Sequence, residues 1–322
     1  MPSPLHCNSD KAELEEEDAI GAGFFSDSST ETRTESESDT DVSEAKEPKQ
    51  QTTKLINLVL NDEGVQLPIE EDVSQELGCR LWTAALMLCE KIRTAQRNAD
   101  SNDPLFLANK TVLEIGAGLG ACGFTAAANG ATHVTIGECG PKSVARLLQT
   151  NQTFQKVVMP STAHNNNVTI CRHLWEEDLE YLQARQEERP MDTVRHWSKY
   201  GHNSNSSTTD AAPTLDFEIK FDVILGSDLL YFSNQEEPLL AALRVHLSQH
   251  AKSVAVLLQT MRTNNVSIFL RFIEAARLHF DVQVEDIHTT PEVMDSGTTH
   301  YHETHHTTGY KCVTLRHRRE TC

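Results

Sequence analysis

From Lys54 onward the chain alternates short β-branched, apolar runs with stretches whose apolar positions recur at helical spacing. Lys54–Leu60 and Val65–Ile69 are β-rich, and Asn61-Asp62-Glu63-Gly64 between them is turn chemistry, so the pair predicts a hairpin. Leu81, Ala85, Leu88, Cys89 and Ile92 fall on one face of a helix over Leu81–Ile92. Strands are expected at Thr111–Ile115, His133–Ile136, Val168–Cys171, Phe221–Leu225, Val254–Leu258, Val282–Ile287 and Lys311–Leu315. Helices are expected at Ala121–Asn129, Pro141–Phe154, Gln235–Leu247 and Asn265–His279. Strands separated by helices of this length imply βαβ units. The fold class is therefore α/β: seven strands, mostly parallel, with helices on both faces and an N-terminal β-hairpin. The last two strands are joined without a helix, so they should pair antiparallel, giving an antiparallel C-terminal edge strand.

Polar stretches interrupt the pattern. Gln183–Asp216 and Thr289–Gly309 read as disordered insertions within a domain spanning 51–322. Residues 1–50 hold 14 acidic and 4 basic side chains and few large apolar ones. Such a segment cannot offset its chain entropy by burial and is expected to be a disordered, Ser-rich acidic tail. The formal charge of −19 argues against a generic binder of nucleic acid or anionic membrane. Eight cysteines stand singly without a C-x-x-C pair, and several sit in apolar runs as small core residues. With no apolar signal segment or 18-residue apolar stretch, a cytoplasmic, also nuclear, address is expected. The chain is expected to be a monomer.

The chemistry begins at Val112-Leu113-Glu114-Ile115-Gly116-Ala117-Gly118-Leu119-Gly120, a buried strand ending in a glycine loop that opens a helix. The glycines let the backbone turn sharply and approach a ligand. Ala121 also permits a G-x-G-x-x-A reading, which would admit a nicotinamide or flavin cofactor. Glu114, near the strand end, is expected to face the ligand, where a carboxylate opposes a pyrophosphate but suits a sulfonium and an α-ammonium. Glu138, closing the next strand, can accept both ribose hydroxyls of a nucleoside.

Later segments narrow the choice. Ser227-Asp228-Leu229-Leu230-Tyr231 after the fourth strand resembles the D-x-x-Y motif of the family-16 seven-β-strand methyltransferases. Gly78-Cys79-Arg80-Leu81-Trp82 resembles that family's G-x-x-hydrophobic-Trp segment, and His173-Leu174-Trp175 its Leu-x-Trp region. Asn151 and Arg262 also fall where relatives carry the same residues. The resemblance runs from about residue 54 to 316, insertions excluded. Thr83, Glu138 and Ser227 depart from the usual Asp or Pro, Asp and Ala.

The resemblance implies a Rossmann-like class I methyltransferase that binds S-adenosylmethionine through Trp82, Glu114, Gly116, Ala117, Gly118, Gly120, Glu138, Trp175 and Ser227. Asp228 and Tyr231 would be the catalytic pair, Asp228 orienting the acceptor amine and Tyr231 walling it. It further implies a protein partner bearing the target lysine. Protein histidine, arginine or a small molecule as acceptor, and a non-catalytic interaction protein of the same fold, remain alternatives. His302-Glu303-Thr304-His305-His306 satisfies H-E-x-x-H, but its Thr-rich flanks form helix poorly, and the two imidazoles need a helix to share a face. It is read as a polar loop, and no metal is expected.

Overall fold

The computed structural model describes residues 53–72, 77–158, 167–190, 194, 212–288 and 307–318. The acidic tail, most of both insertions and the H-E-x-x-H segment lie outside them.

Strands β1 (Thr53–Val59) and β2 (Gln66–Asp72) form the expected antiparallel hairpin, turning at Gly64 with φ 77°. Helix α1 (Thr83–Asn98) buries Leu88, Cys89 and Ile92, the face that the spacing marked. Then follow β3 (Thr111–Ile115), α2 (Ala121–Ala128), β4 (His133–Glu138), α3 (Pro141–Val158), β5 (Val168–Arg172) and α4 (Trp175–Gln186). The chain closes with β6 (Val223–Ser227), α5 (Glu236–His246), β7 (Val254–Arg262), α6 (Val266–Ala276), β8 (Phe280–Ile287) and β9 (Thr307–His317).

The sheet order is β5-β4-β3-β6-β7-β9-β8. β3 through β7 are mutually parallel, while β9 runs antiparallel to both β7 and β8. The antiparallel pair lies at the edge, as expected, but the reversed strand β9 sits one place in and β8 is outermost. Strand parity divides the core into two layers. Val112, Val134, Val223 and Val256 pack toward α1, α2 and α3. Leu113, Ile115, Ile224 and Leu257 pack toward α5 and α6.

The first insertion is shorter than expected at both ends. Gln183–Gln186 completes α4, and Thr214 bridges to Arg172 beside β5. Thr307–Gly309, expected in the second insertion, belongs to β9 because that strand pairs with the extended end of β7. Cys79, Cys89, Cys122, Cys171 and Cys312 are buried free thiols. Among the described residues, no helix is long and apolar enough to cross a membrane.

Candidate active site

The carboxyl ends of β3, β4 and β6 converge on one cavity of about 410 Å³. This is where a parallel sheet whose strand order reverses leaves room for a ligand. Trp82, Gly116, Ala117, Gly118, Glu138, Trp175, Ser227, Asp228 and Tyr231 all line it. Nine of the eleven expected site positions thus share one cavity, while Glu114 and Gly120 are not among its lining residues.

The glycine loop is shaped by steric need. Gly116, Gly118 and Gly120 all have φ between 55° and 76°, the left-handed region that favours glycine. A Cβ on Gly116 would stand 2.8 Å from Leu229 Cδ2 and 2.9 Å from Trp175 Cζ2. The loop, the Trp175 wall and the turn after β6 therefore close on each other without space for one methyl group. Gly120 shapes the loop from behind: a Cβ there would lie 2.6 Å from Leu147 Cδ2.

Glu138 ties two loops together. Its Oε2 accepts the Gly118 N–H at 2.7 Å, and its Oε1 accepts the Cys139 and Gly140 N–H groups at 2.9 Å each. The carboxylate is held at the cavity wall, where it can also meet ribose hydroxyls.

Glu114 departs from expectation. It is 1% exposed, and its carboxylate accepts N–H groups of Cys122 at 3.2 Å and Gly123 at 2.7 Å, in the first turn of α2. It caps the helix beneath the glycine loop instead of facing the ligand. The physical reason is strand parity: Glu114 shares its face with Val112, toward α2. Burial pushes its carboxyl up to about 7, against the pull of the Gly123 and Cys122 hydrogen bonds. Asn151 likewise serves the framework; it is buried in α3, with its side-chain amide 3.5 Å from the Val168 carbonyl of β5.

The turn after β6 builds the wall beside the glycine loop. Asp228 adopts φ 53° and is fixed by its N–H to the Leu258 carbonyl at 2.8 Å. Its carboxylate is not bare: Arg262 donates to Oδ1 at 2.9 Å and to Oδ2 at 2.6 Å, and Gln259 donates to Oδ1 at 2.9 Å. The Arg262 guanidinium also lies 5.6 Å from the Trp82 ring centroid. Tyr231 stands at the mouth, 38% exposed, with its ring 4.7 Å from that of Phe232. Partial burial raises its phenol above the ordinary value.

The motif reading missed a second feature. His173, which lines the cavity, and His246 of α5 place their Nε2 atoms 2.7 and 3.0 Å from the two oxygens of Asp178. Two ligands of a tetrahedral metal at the usual bond lengths would stand about 3.3 Å apart, so this spacing is that of hydrogen bonds. Burial lowers the His173 imidazole's pKa. Burial pushes Asp178 up, yet its bonds to His173 and His246 hold it down at about 2. The cluster braces the β5–α4 corner, which carries Trp175, against α5.

The strand order, with a glycine loop between β3 and α2 and an acid closing β4, defines the class I methyltransferase fold. Residues 61–194 match the family model described as lysine methyltransferase. Similar solved structures include SMU.776 in its complex with SAH, at 14% identity and a TM-score of 0.47, covering 83% of this chain and 57% of that one. The T. thermophilus 16S rRNA N2 G1207 methyltransferase, in complex with AdoMet and guanosine, is 15% identical with a TM-score of 0.41, covering 84% and 52%. A ribosomal protein L11 methylase from Lactobacillus delbrueckii subsp. bulgaricus is 10% identical with a TM-score of 0.39, covering 72% and 79%. The chain thus spans little more than half the length of SMU.776.

Proposed function

We propose that the chain transfers a methyl group from S-adenosylmethionine to a lysine side chain of a protein. The observation that carries this reading is the shared cavity, which the glycine loop, Glu138, Asp228 and Tyr231 line together. The description of the matched family supports lysine as the acceptor.

The residues fit the cofactor. The space denied to a Cβ at Gly116 suits close approach of backbone to a ligand. Glu138 would hold the ribose hydroxyls, Trp175 would border the adenine, and Trp82 with Ser227 would flank the amino-acid end. S-adenosylmethionine supplies an electrophilic methyl group on a sulfonium. The protein's contribution is positioning, exclusion of water and electrostatics. Tyr231 walls the acceptor side chain and presents a hydroxyl and a π-face to its nitrogen. Asp228, held by Arg262 and Gln259, fixes the polar floor there and orients the amine.

Lysates from cells lacking the protein, incubated with it and methyl-labelled S-adenosylmethionine, should yield a labelled polypeptide whose modified residue maps to lysine. Label mapping to histidine, arginine or a small molecule would replace the lysine assignment. Absence of transfer despite cofactor binding would point to an interaction protein.

A further inference from the structure

The acceptor end of the cavity holds two opposite charges in contact. Both Asp228 and Arg262 line the cavity wall, with side chains only 4% and 17% exposed. The two bonds from the guanidinium to the carboxylate form a bidentate fork, the strongest geometry such a pair adopts. The Trp82 face on one side and the Gln259 amide on the other hold the fork in register.

This pairing decides what the subsite accepts. A free lysine is an ammonium with a pKa of about 10.4, and it must shed a proton before its nitrogen can attack. A bare carboxylate would bind the ammonium and stabilise it; a carboxylate already matched by a guanidinium does not. We propose that Arg262 sets the charge of the acceptor end: by cancelling Asp228 it makes the subsite take an uncharged nucleophile, the free-base amine, and exclude the ammonium. The inference rests on the reading of the cavity as an S-adenosylmethionine site. It makes Arg262 a charge-setting residue and leaves the acceptor contact to Tyr231 and the Asp228 floor.

The test needs no identified substrate. S-adenosylmethionine and S-adenosylhomocysteine differ by one methyl group and its positive charge, located at the acceptor end. Titration calorimetry of both, on wild type and variants, therefore reads the local charge. Arg262→Gln should shift the affinity ratio toward S-adenosylmethionine by about 3- to 10-fold, the size of one unmatched charge several ångström away in a partly wet site. Arg262→Lys should keep the wild-type ratio. Asp228→Asn should shift it the opposite way, and the double variant should return it near wild type. Opposite signs from two neighbouring substitutions cannot come from a general packing defect.

Unchanged ratios overturn the proposal. Equal weakening of both ligands in Arg262→Gln also overturns it, because Arg262 would then be holding their common carboxylate. A wild-type protein that binds neither ligand overturns the cofactor reading and this inference with it. A protein that binds both with an unmoved ratio overturns the inference alone.

Discussion

The buried Glu114 makes a quantitative prediction about stability. Its carboxyl is raised from the ordinary 4.5 to about 7, chiefly by burial. A carboxyl raised by folding costs nothing where it is protonated in both states, and its cost grows as pH rises through the interval between the two values. At about 1.4 kcal/mol per unit, an interval from 4.5 to about 7 comes to about 3 kcal/mol, fully present at pH 8 and absent near pH 4.5. Glu114→Gln mimics the protonated acid, with one acceptor and one donor group facing the Cys122 and Gly123 N–H groups. The difference in unfolding free energy between Glu114→Gln and wild type should therefore rise by about 3 kcal/mol in favour of the variant from pH 4.5 to pH 8. Urea unfolding of both proteins across this range gives that difference directly. A difference that stays flat with pH would refute the desolvation argument. One that moved in favour of wild type would show Glu114 to be held as a carboxylate by its caps.

Four further outcomes follow from the same geometry. Gly116→Ala must force φ 56° on a side chain and push a methyl against Trp175 and Leu229; it should cost about 1–3 kcal/mol in denaturant unfolding and weaken cofactor binding in calorimetry. Asp178→Ala strips both imidazoles of their buried partner and should cost about 3–5 kcal/mol, whereas Asp178→Asn, which keeps one acceptor and gains a donor, should cost clearly less; equal losses would contradict the brace. The Asp178 contribution should be present above about pH 4 and disappear as pH falls through about 2, the sign for a depressed carboxyl. Glu138→Ala should weaken S-adenosylmethionine binding by at least about tenfold, since it would remove the proposed charge-assisted bonds to the ribose and free Gly118.

Much of the site was legible because it sits where strand ends and glycine loops must sit. The spacing of Gly116 to Gly120, the acid closing β4 and the acid following β6 pointed to the cavity without coordinates. Glu114 was misread because both faces of the sheet carry helices and both parities of β3 are apolar: sharing a face with Val112 puts it on the α2 side, which only the packing reveals. Helix α4 was hidden for a different reason. Two of its buried positions are Glu177 and Asp178, so the apolar periodicity that marks a helix is broken where Asp178 turns to the histidines. The pairing of Asp228 with Arg262 spans 34 residues and depends on β7 running four residues past Leu258, its last residue paired with β6. No local pattern in the sequence reports that distance.

The central claim is methyl transfer at the Asp228–Tyr231 end of this cavity. The most direct test supplies methyl-labelled S-adenosylmethionine and a lysate lacking the protein to wild type and to Asp228→Ala, with cofactor binding by each measured in parallel by calorimetry. Wild type should label a polypeptide, and Asp228→Ala should bind the cofactor yet leave that polypeptide unlabelled. Full labelling by Asp228→Ala with the cofactor still bound would contradict the account.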